Sequence, residues 1–112
     1  PRLIDFEWSG PGDTAKDLAL IGGRVTGGPW YLPMTPDDVT AFVTEYSRYL
    51  PSSRLVQDTG AADPQRLLER RDAYELLDRL GNLLYCLSRP GEARYGRWAD
   101  DLARSLTSRL AD

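Results

Sequence analysis

The chain has 112 residues, of which 41% are hydrophobic and 28% are charged, and its formal net charge is −3. This length and composition are typical of one globular domain or a part of one, and they exclude an intrinsically disordered chain. The slight negative charge, with arginines that alternate with acids, argues against nucleic acid as a partner because phosphate binding requires clustered cations.

The sequence contains no histidine. This absence excludes histidine-based nucleophilic triads, histidine general bases and histidine-ligated metal sites from the chain. Its one cysteine, Cys86, lies in an apolar helical pattern, and we expect a small core residue in a reducing compartment. The apolar runs are too short to span a bilayer, and no signal-peptide pattern is present. A cytoplasmic protein without membrane contact is therefore expected.

A short β-strand is predicted over residues 3–8, where Leu3, Ile4 and Phe6 are apolar and precede a glycine- and proline-rich turn. One strand leaves its own backbone donors and acceptors unpaired, so it requires a partner strand. The sequence begins at Pro1 without an initiator methionine, and we expect the partner strand to lie upstream of it.

Helices are predicted for most of the remaining sequence. Thr14 and Asp17 have the spacing of a capping box and open a short apolar helix that a Gly-Gly pair ends. A loop rich in glycine and aromatic residues follows. Its Trp30 and Tyr31 have two interpretations: they line a substrate pocket, or they pack over a seam between helices.

Three longer amphipathic helices are predicted at about residues 36–50, 64–87 and 91–110, so the fold class is mainly α. The first two begin at Thr-Pro and Asp-Pro pairs, which supply an N-cap and a proline at the first helical position. The second helix is expected to pack through one apolar face, formed by Leu67, Tyr74, Leu77, Leu80, Leu84 and Leu87.

The candidate site lies at the end of the predicted strand. Asp5 is placed there, just before the turn, and Glu7 follows two residues later on the same strand face. Nucleotide-bound Mg²⁺ takes one or two carboxylates together with phosphate oxygens. Asp5 is therefore the main candidate metal ligand. Glu7 is a second candidate, with a solvated charge at the strand end as the alternative.

This stretch resembles the metal-binding motif of the aminoglycoside phosphotransferase and choline kinase-like family, which has a protein-kinase-like fold. The matching elements are Ile4-Asp5-Phe6, Gly10, Gly12-Asp13-Thr14 and Asp17-Leu18-Ala19, with Thr14 where the family usually has proline. The resemblance implies that the chain is the C-terminal portion of a kinase-like C-lobe. Residues 1–34 would supply its metal-binding strand, turn and short helix, and residues 35–112 its helical subdomain.

The resemblance also implies roles for individual residues. Asp5 would coordinate the Mg²⁺ that bridges the ATP phosphates, and Ile4 would pack under the nucleotide base. Asp17 would be a buried aspartate that supports the catalytic loop by hydrogen bonding. By local rules alone, Asp17 is explained equally well as an acid in the first turn of a helix.

The family's catalytic loop carries a His-Gly-Asp motif and a downstream asparagine, and a chain without histidine does not contain it. Asn82, the only asparagine, lies within a predicted helix and does not replace the missing one. We therefore expect no catalytic residue and no activity in this chain alone. The expected partners are the missing N-terminal lobe and catalytic loop, in the same protein or a complementary chain, and a small-molecule substrate.

The complete protein would transfer the γ-phosphoryl group of ATP to a hydroxyl of a small polar molecule, aminoglycoside-like or choline-like. Two other hypotheses stay open. One is a non-enzymatic helical interaction module, which an exposed apolar face on the strand or the short helix would favour. The other is a subunit that completes an active site with a second polypeptide.

Overall fold

The structure is a computed structural model that describes residues 14–50, 56–57 and 60–111. The described part contains four helices: α1 (Thr14–Leu18), α2 (Pro36–Ser47), α3 (Pro64–Leu87) and α4 (Ala93–Ala111). Its only β-type pairing is one parallel bridge between Ile21 and Leu32. The prediction of a mainly α fold is confirmed for these residues. The predicted strand at residues 3–8 lies outside them.

Helix α2 begins where its local sequence predicts. The Thr35 hydroxyl accepts a hydrogen bond from the backbone N–H of Asp38 at 3.1 Å, and Pro36 occupies the first turn. Val39 and Val43 are buried against the rest of the chain. The helix ends at Ser47, three residues before the predicted end.

Helix α3 is the central element, with 24 residues and contacts to each of the other three helices. Asp63 caps it, because its carboxylate accepts a hydrogen bond from the backbone N–H of Gln65 at 3.0 Å. Its first half packs against α1 and α2 through an apolar core. That core contains Ala15, Leu18, Val39, Val43, Val56, Ala61 and Leu67.

A second core joins the end of α3 to α4 and to the aromatic loop. Cys86, Ala99 and Leu102 are buried there. Trp30 and Tyr31 of the loop pack against these residues, with Trp30 edge-on to Trp98 at a centroid distance of 5.2 Å. The expectation that Cys86 is a core residue is confirmed, and burial raises the pKa of its thiol.

The face of α3 that is buried differs from the predicted one. Four of the predicted leucines are exposed: Leu77 by 65%, Leu80 by 47%, Leu84 by 59% and Leu87 by 59%. The buried residues of α3 are Leu67, Arg71, Glu75, Arg79 and Cys86. The prediction was wrong because it ranked the faces by hydropathy alone. The segment between α1 and α2 presents backbone carbonyl groups that need hydrogen-bond donors, and long arginine side chains supply them.

Within the described residues, none of the helices combines the length and the apolar character that crossing a membrane requires.

Candidate functional site

The predicted ligands of metal and nucleotide, Ile4, Asp5 and Glu7, lie outside the described residues. Thr14 is the first residue of α1, as the motif requires. Asp17 lies on the same short helix, and its side chain is exposed. The described part of this chain therefore does not form the buried setting that the resemblance implies for Asp17, and its supporting role stays a prediction.

A hollow of about 570 Å³ opens beside Asp17, between α1 and α3. Its lining combines apolar and charged side chains from the two helices: Lys16, Asp17, Ala19, Leu20, Tyr74, Leu77 and Asp78. Leu20, just after α1, is half exposed at this position. The hollow continues through Leu77 onto the exposed side of α3. We call Leu77, Leu80, Leu84 and Leu87 the leucine face.

The opposite side of α3 carries three buried charged residues, Arg71, Glu75 and Arg79, which we call the arginine clamp. They follow one another at intervals of four residues, so their side chains lie on one face of the helix. Each of them bonds to the backbone of residues 18–25, the segment that follows α1. The clamp therefore ties that segment to the central helix.

Arg71 holds the first half of this segment. Its Nε donates to the carbonyl oxygen of Leu18 at 3.2 Å, and its Nη2 donates to the carbonyl oxygens of Ile21, at 2.7 Å, and of Gly22. Its Nη1 lies 2.5 Å from a carboxylate oxygen of Glu75. Charge-assisted bonds of this kind are about twice as strong as neutral ones.

Arg79 holds the second half of the segment. Its guanidinium donates to the carbonyl oxygens of Ala19 at 2.6 Å, of Ile21 at 3.2 Å and of Val25 at 3.2 Å. It also pairs with the Asp78 carboxylate at 3.0 Å. Four partners in different directions fix the plane of the guanidinium group.

Glu75 completes the clamp from the middle. One carboxylate oxygen pairs with Arg71, and the other accepts the backbone N–H of Val25 at 2.7 Å. Asp72 adds a second acid next to Arg71 at 2.8 Å. Among the described residues, every buried side-chain nitrogen and oxygen has a hydrogen-bond partner. The two buried arginines are therefore matched by acids and carbonyls, which is the condition for tolerating buried charge.

The clamp extends to the aromatic loop through Tyr31. The guanidinium carbon of Arg79 lies 3.5 Å from the centre of the Tyr31 ring, and Asn82 donates a hydrogen bond to the Tyr31 hydroxyl. Burial raises the pKa of the Tyr31 phenol to about 12, and the nearby Asp78 carboxylate acts in the same direction. Trp30 and Tyr31 were expected either to line a substrate pocket or to pack over a seam between helices. Both residues pack against the core between α3 and α4.

Tyr31 also borders a groove of about 510 Å³ that runs between the glycine-rich loop and the start of α2. The turn that forms it depends on glycine. A Cβ added to Gly22 would collide with the backbone of Met34, and Gly23 has a φ of 132°, where side chains are strained. The groove is lined mainly by glycine backbone and apolar side chains, so it has the shape of a pocket without a convergent set of catalytic groups.

The sequence interpretation missed the arginine clamp. Its signal is the spacing of Arg71, Glu75 and Arg79, which continues the four-residue row that begins at the buried Leu67. Charges at such intervals usually indicate a solvated helix face with intrahelical ion pairs. Only the carbonyl-rich turn that packs on this row makes its burial favourable.

Among the residues that the structure describes, no group of three or more acids or cysteines is gathered where it could hold a metal ion. The residues expected to bind Mg²⁺ and ATP stand before this part of the chain. No family model matches the sequence, and neither a curated protein nor a solved structure matches it.

Proposed function

We propose that this chain is the C-terminal portion of an ATP-dependent phosphotransferase, similar to the aminoglycoside phosphotransferase and choline kinase-like family. The observation that carries the proposal is the motif of residues 4–19, with an aspartate at the position of the family's metal ligand, a glycine turn and Asp-Leu-Ala in family order. The beginning of α1 at Thr14 supports it, because the motif requires a helix at that position.

In this proposal Asp5 holds the Mg²⁺ of Mg-ATP, Glu7 assists it, and Ile4 forms part of the floor under the adenine. The base that accepts the substrate proton and the cation that pairs with the phosphates come from the missing lobe and catalytic loop. Phosphoryl transfer depends on positioning and electrostatic stabilisation by all these groups together. The chain alone is therefore inactive, and the complete enzyme acts in the cytoplasm on a small polar alcohol.

The arginine clamp supports the proposal mechanically. Residues 18–25 overlap the end of the motif and continue beyond it, and Arg71 and Arg79 hold their carbonyl groups against α3, the longest of the described helices. A metal ligand needs a rigid support if it is to stay within a fraction of an ångström of its working position. In this proposal the clamp fixes the C-terminal end of the motif, and the metal ligand Asp5 precedes the described residues.

The exposed Asp17 fits the same proposal. Its carboxylate stands at the rim of the hollow between α1 and α3, where an incoming loop can approach it. A carboxylate in this position accepts backbone N–H groups well. We assign to Asp17 the support of the catalytic loop supplied by the missing part of the protein.

Calorimetric titration with Mg-ATP tests the proposal, with the chain and with the protein extended upstream of Pro1. The chain alone should bind very weakly, and the extended protein should bind and transfer phosphate. Asp5→Asn in the extended protein should abolish transfer, whereas Asp101→Asn, at an exposed acid of α4, should not. Tight binding by the chain alone, or full transfer by the Asp5→Asn protein, would contradict the proposal.

The second candidate is a non-enzymatic helical interaction module. The leucine face favours it, because a contiguous exposed apolar surface usually marks an interaction site. Leu20, just after α1, extends this surface to the region where the sequence interpretation placed such a face. Under this hypothesis substitutions in the leucine face abolish partner binding, and Asp5→Asn changes nothing.

A further inference from the structure

A second hollow, of about 440 Å³, lies between α4 and residues 24–27 of the glycine-rich loop, and we call it the α4 hollow. Its lining consists mainly of hydrogen-bond donors and holds one acid. The lining side chains are Arg24, Thr26, Asp101, Arg104, Ser105 and Ser108. Two arginines against one aspartate make this hollow positive within a chain whose net charge is −3. A positive hollow of this kind attracts anions.

The loop side of the α4 hollow is held in place by hydrogen bonds. The Ser105 hydroxyl accepts the backbone N–H of Thr26 at 2.9 Å and donates to the carbonyl oxygen of Arg24 at 3.3 Å. Val25, between them, is buried, and its N–H and carbonyl bond to the arginine clamp at 2.7 and 3.2 Å. The exposed side chains of Arg24 and Thr26 therefore extend from a fixed backbone, as a preorganised site requires.

Several donors of the α4 hollow are not used by the fold. The exposed Arg24 guanidinium has no ion pair or hydrogen bond with the described residues, and the Ser108 hydroxyl has none either. Thr107, next to Ser108, instead donates to a carbonyl oxygen of its own helix at 2.7 Å. Arg104 contacts Asp101 through one nitrogen at 3.4 Å, and both side chains are more than half exposed. Such a surface pair is weak and leaves the other guanidinium donors available.

We propose that the α4 hollow binds a phosphate monoester of a small molecule, with the phosphate group held by Arg24 and Arg104. A guanidinium group matches two phosphate oxygens with parallel hydrogen bonds. A phosphate group offers three acceptor oxygens and up to two negative charges, so it uses both arginines and the hydroxyls of Thr26 and Ser108. A carboxylate has one charge and two oxygens, and it would leave part of this set unused.

The volume of the α4 hollow favours an ester over free phosphate. About 440 Å³ is within the usual range of small-molecule sites and is much larger than one phosphate group. The organic part of the ligand would occupy the remainder. Binding there requires neither ATP nor Mg²⁺ and uses none of residues 4–19. Its test is therefore independent of the proposed phosphotransferase function.

An NMR titration of the 112-residue, ¹⁵N-labelled chain with glycerol 3-phosphate, at constant ionic strength, tests the site. The amide signals of residues 24–27 and 104–108 should shift and reach saturation. Arg24→Gln and Arg104→Gln should each raise the dissociation constant at least about tenfold, because a charge-assisted hydrogen bond contributes about 1.5–3 kcal/mol. Both side chains are exposed, and circular dichroism should show that the variants remain folded.

Arg48→Gln is the matched control. Arg48 is an exposed arginine that pairs with Glu45, three residues earlier, at 3.5 Å, as Arg104 pairs with Asp101. It does not line the α4 hollow, so its substitution should leave the dissociation constant unchanged. Shifts that do not saturate would overturn the proposal. So would an Arg48→Gln chain that binds as weakly as the Arg24→Gln chain, because the anion would then respond to overall charge and not to a site.

Two further ligands identify the source of the phosphate group. Inorganic phosphate should bind more weakly than glycerol 3-phosphate, because it leaves most of the α4 hollow unfilled. Glycerol, which has no charge, should cause no shift at the same concentrations. Inorganic phosphate that binds as tightly as the ester would overturn the assignment to a monoester, and shifts caused by glycerol would overturn the role of the two arginines.

Discussion

The two sides of α3 differ in a way that reverses the usual distribution of residue types. The buried side carries the arginine clamp, whose three side chains bond to the segment after α1. The exposed side carries the leucine face. Charged side chains are rarely buried unless they are paired, and both arginines of the clamp are paired with acids and carbonyls.

On α3, the hydrogen-bonding needs of residues 18–25 determine which side of the helix is buried, although the cores at its two ends are apolar. The segment of residues 18–25 is too short and too irregular to pair its carbonyl groups within a sheet or a long helix. Arginine carries five N–H donors on a long apolar stem, so one residue pairs several carbonyls at once. Leucine on the same side would leave those carbonyls unpaired, which is costly in the interior.

The largest expected effect comes from removing the acid at the centre of the clamp. Glu75→Ala leaves Arg71 without its closest acidic partner and Val25 without an acceptor for its N–H. Breaking a buried ion pair from one side costs about 3–5 kcal/mol. Urea denaturation followed by circular dichroism should show a loss of this size in the free energy of unfolding.

Glu69→Ala is the control for this substitution, because Glu69 lies on the same helix but is exposed, with a hydrogen bond to Gln65. Its effect should stay within about 0.5 kcal/mol. If Glu75→Ala also cost less than about 1 kcal/mol, the charged side of α3 would not be the one that stabilises the fold.

A smaller, pH-dependent effect is expected at Tyr31, where the clamp meets the aromatic loop. Burial raises the pKa of this phenol to about 12, whereas an unfolded tyrosine titrates near about 10. The folded state therefore keeps the proton to higher pH. This contribution to stability is fully present below about pH 10 and is lost as the pH rises towards about 12.

Tyr31→Phe should therefore reduce the decline in unfolding free energy between about pH 9 and 12. At neutral pH it should cost about 0.5–1.5 kcal/mol, because the hydrogen bond from Asn82 is lost. Tyr49→Phe, at an exposed tyrosine, should keep the wild-type pH profile. An unchanged profile for Tyr31→Phe would show that this phenol does not couple to folding in alkaline solution.

The starts of α2 and α3 were predictable from sequence because the residues that determine each start are neighbours in the chain. Thr35-Pro36 and Asp63-Pro64 specify a cap and a first turn within four residues, and the structure has helices at both positions. The side of α3 that would be buried was not predictable in the same way. It depends on the backbone groups of residues 18–25, which lie about 50–60 positions away along the chain.

The candidate site was less predictable than the fold. Asp5 and Glu7 precede the described residues, so their predicted role rests on the motif. Asp17 was expected to be buried on the basis of the resemblance, and its side chain is exposed in the described part of the chain. Patterns within its own short segment do not determine whether this side chain is covered.

The smallest effect is expected on the leucine face, and it sharpens the contrast with the clamp. Leu80→Gln replaces an exposed leucine by a residue of similar helix propensity, so monomer stability should change by no more than about 0.5 kcal/mol. Leu67→Gln, at a buried leucine on the same helix, should cost about 2–4 kcal/mol, because it combines lost packing with a buried amide. Both are measured by urea denaturation at concentrations low enough to exclude association. Equal losses at the two positions would mean that another element covers the leucine face within the monomer, which would remove the difference between the two sides of α3.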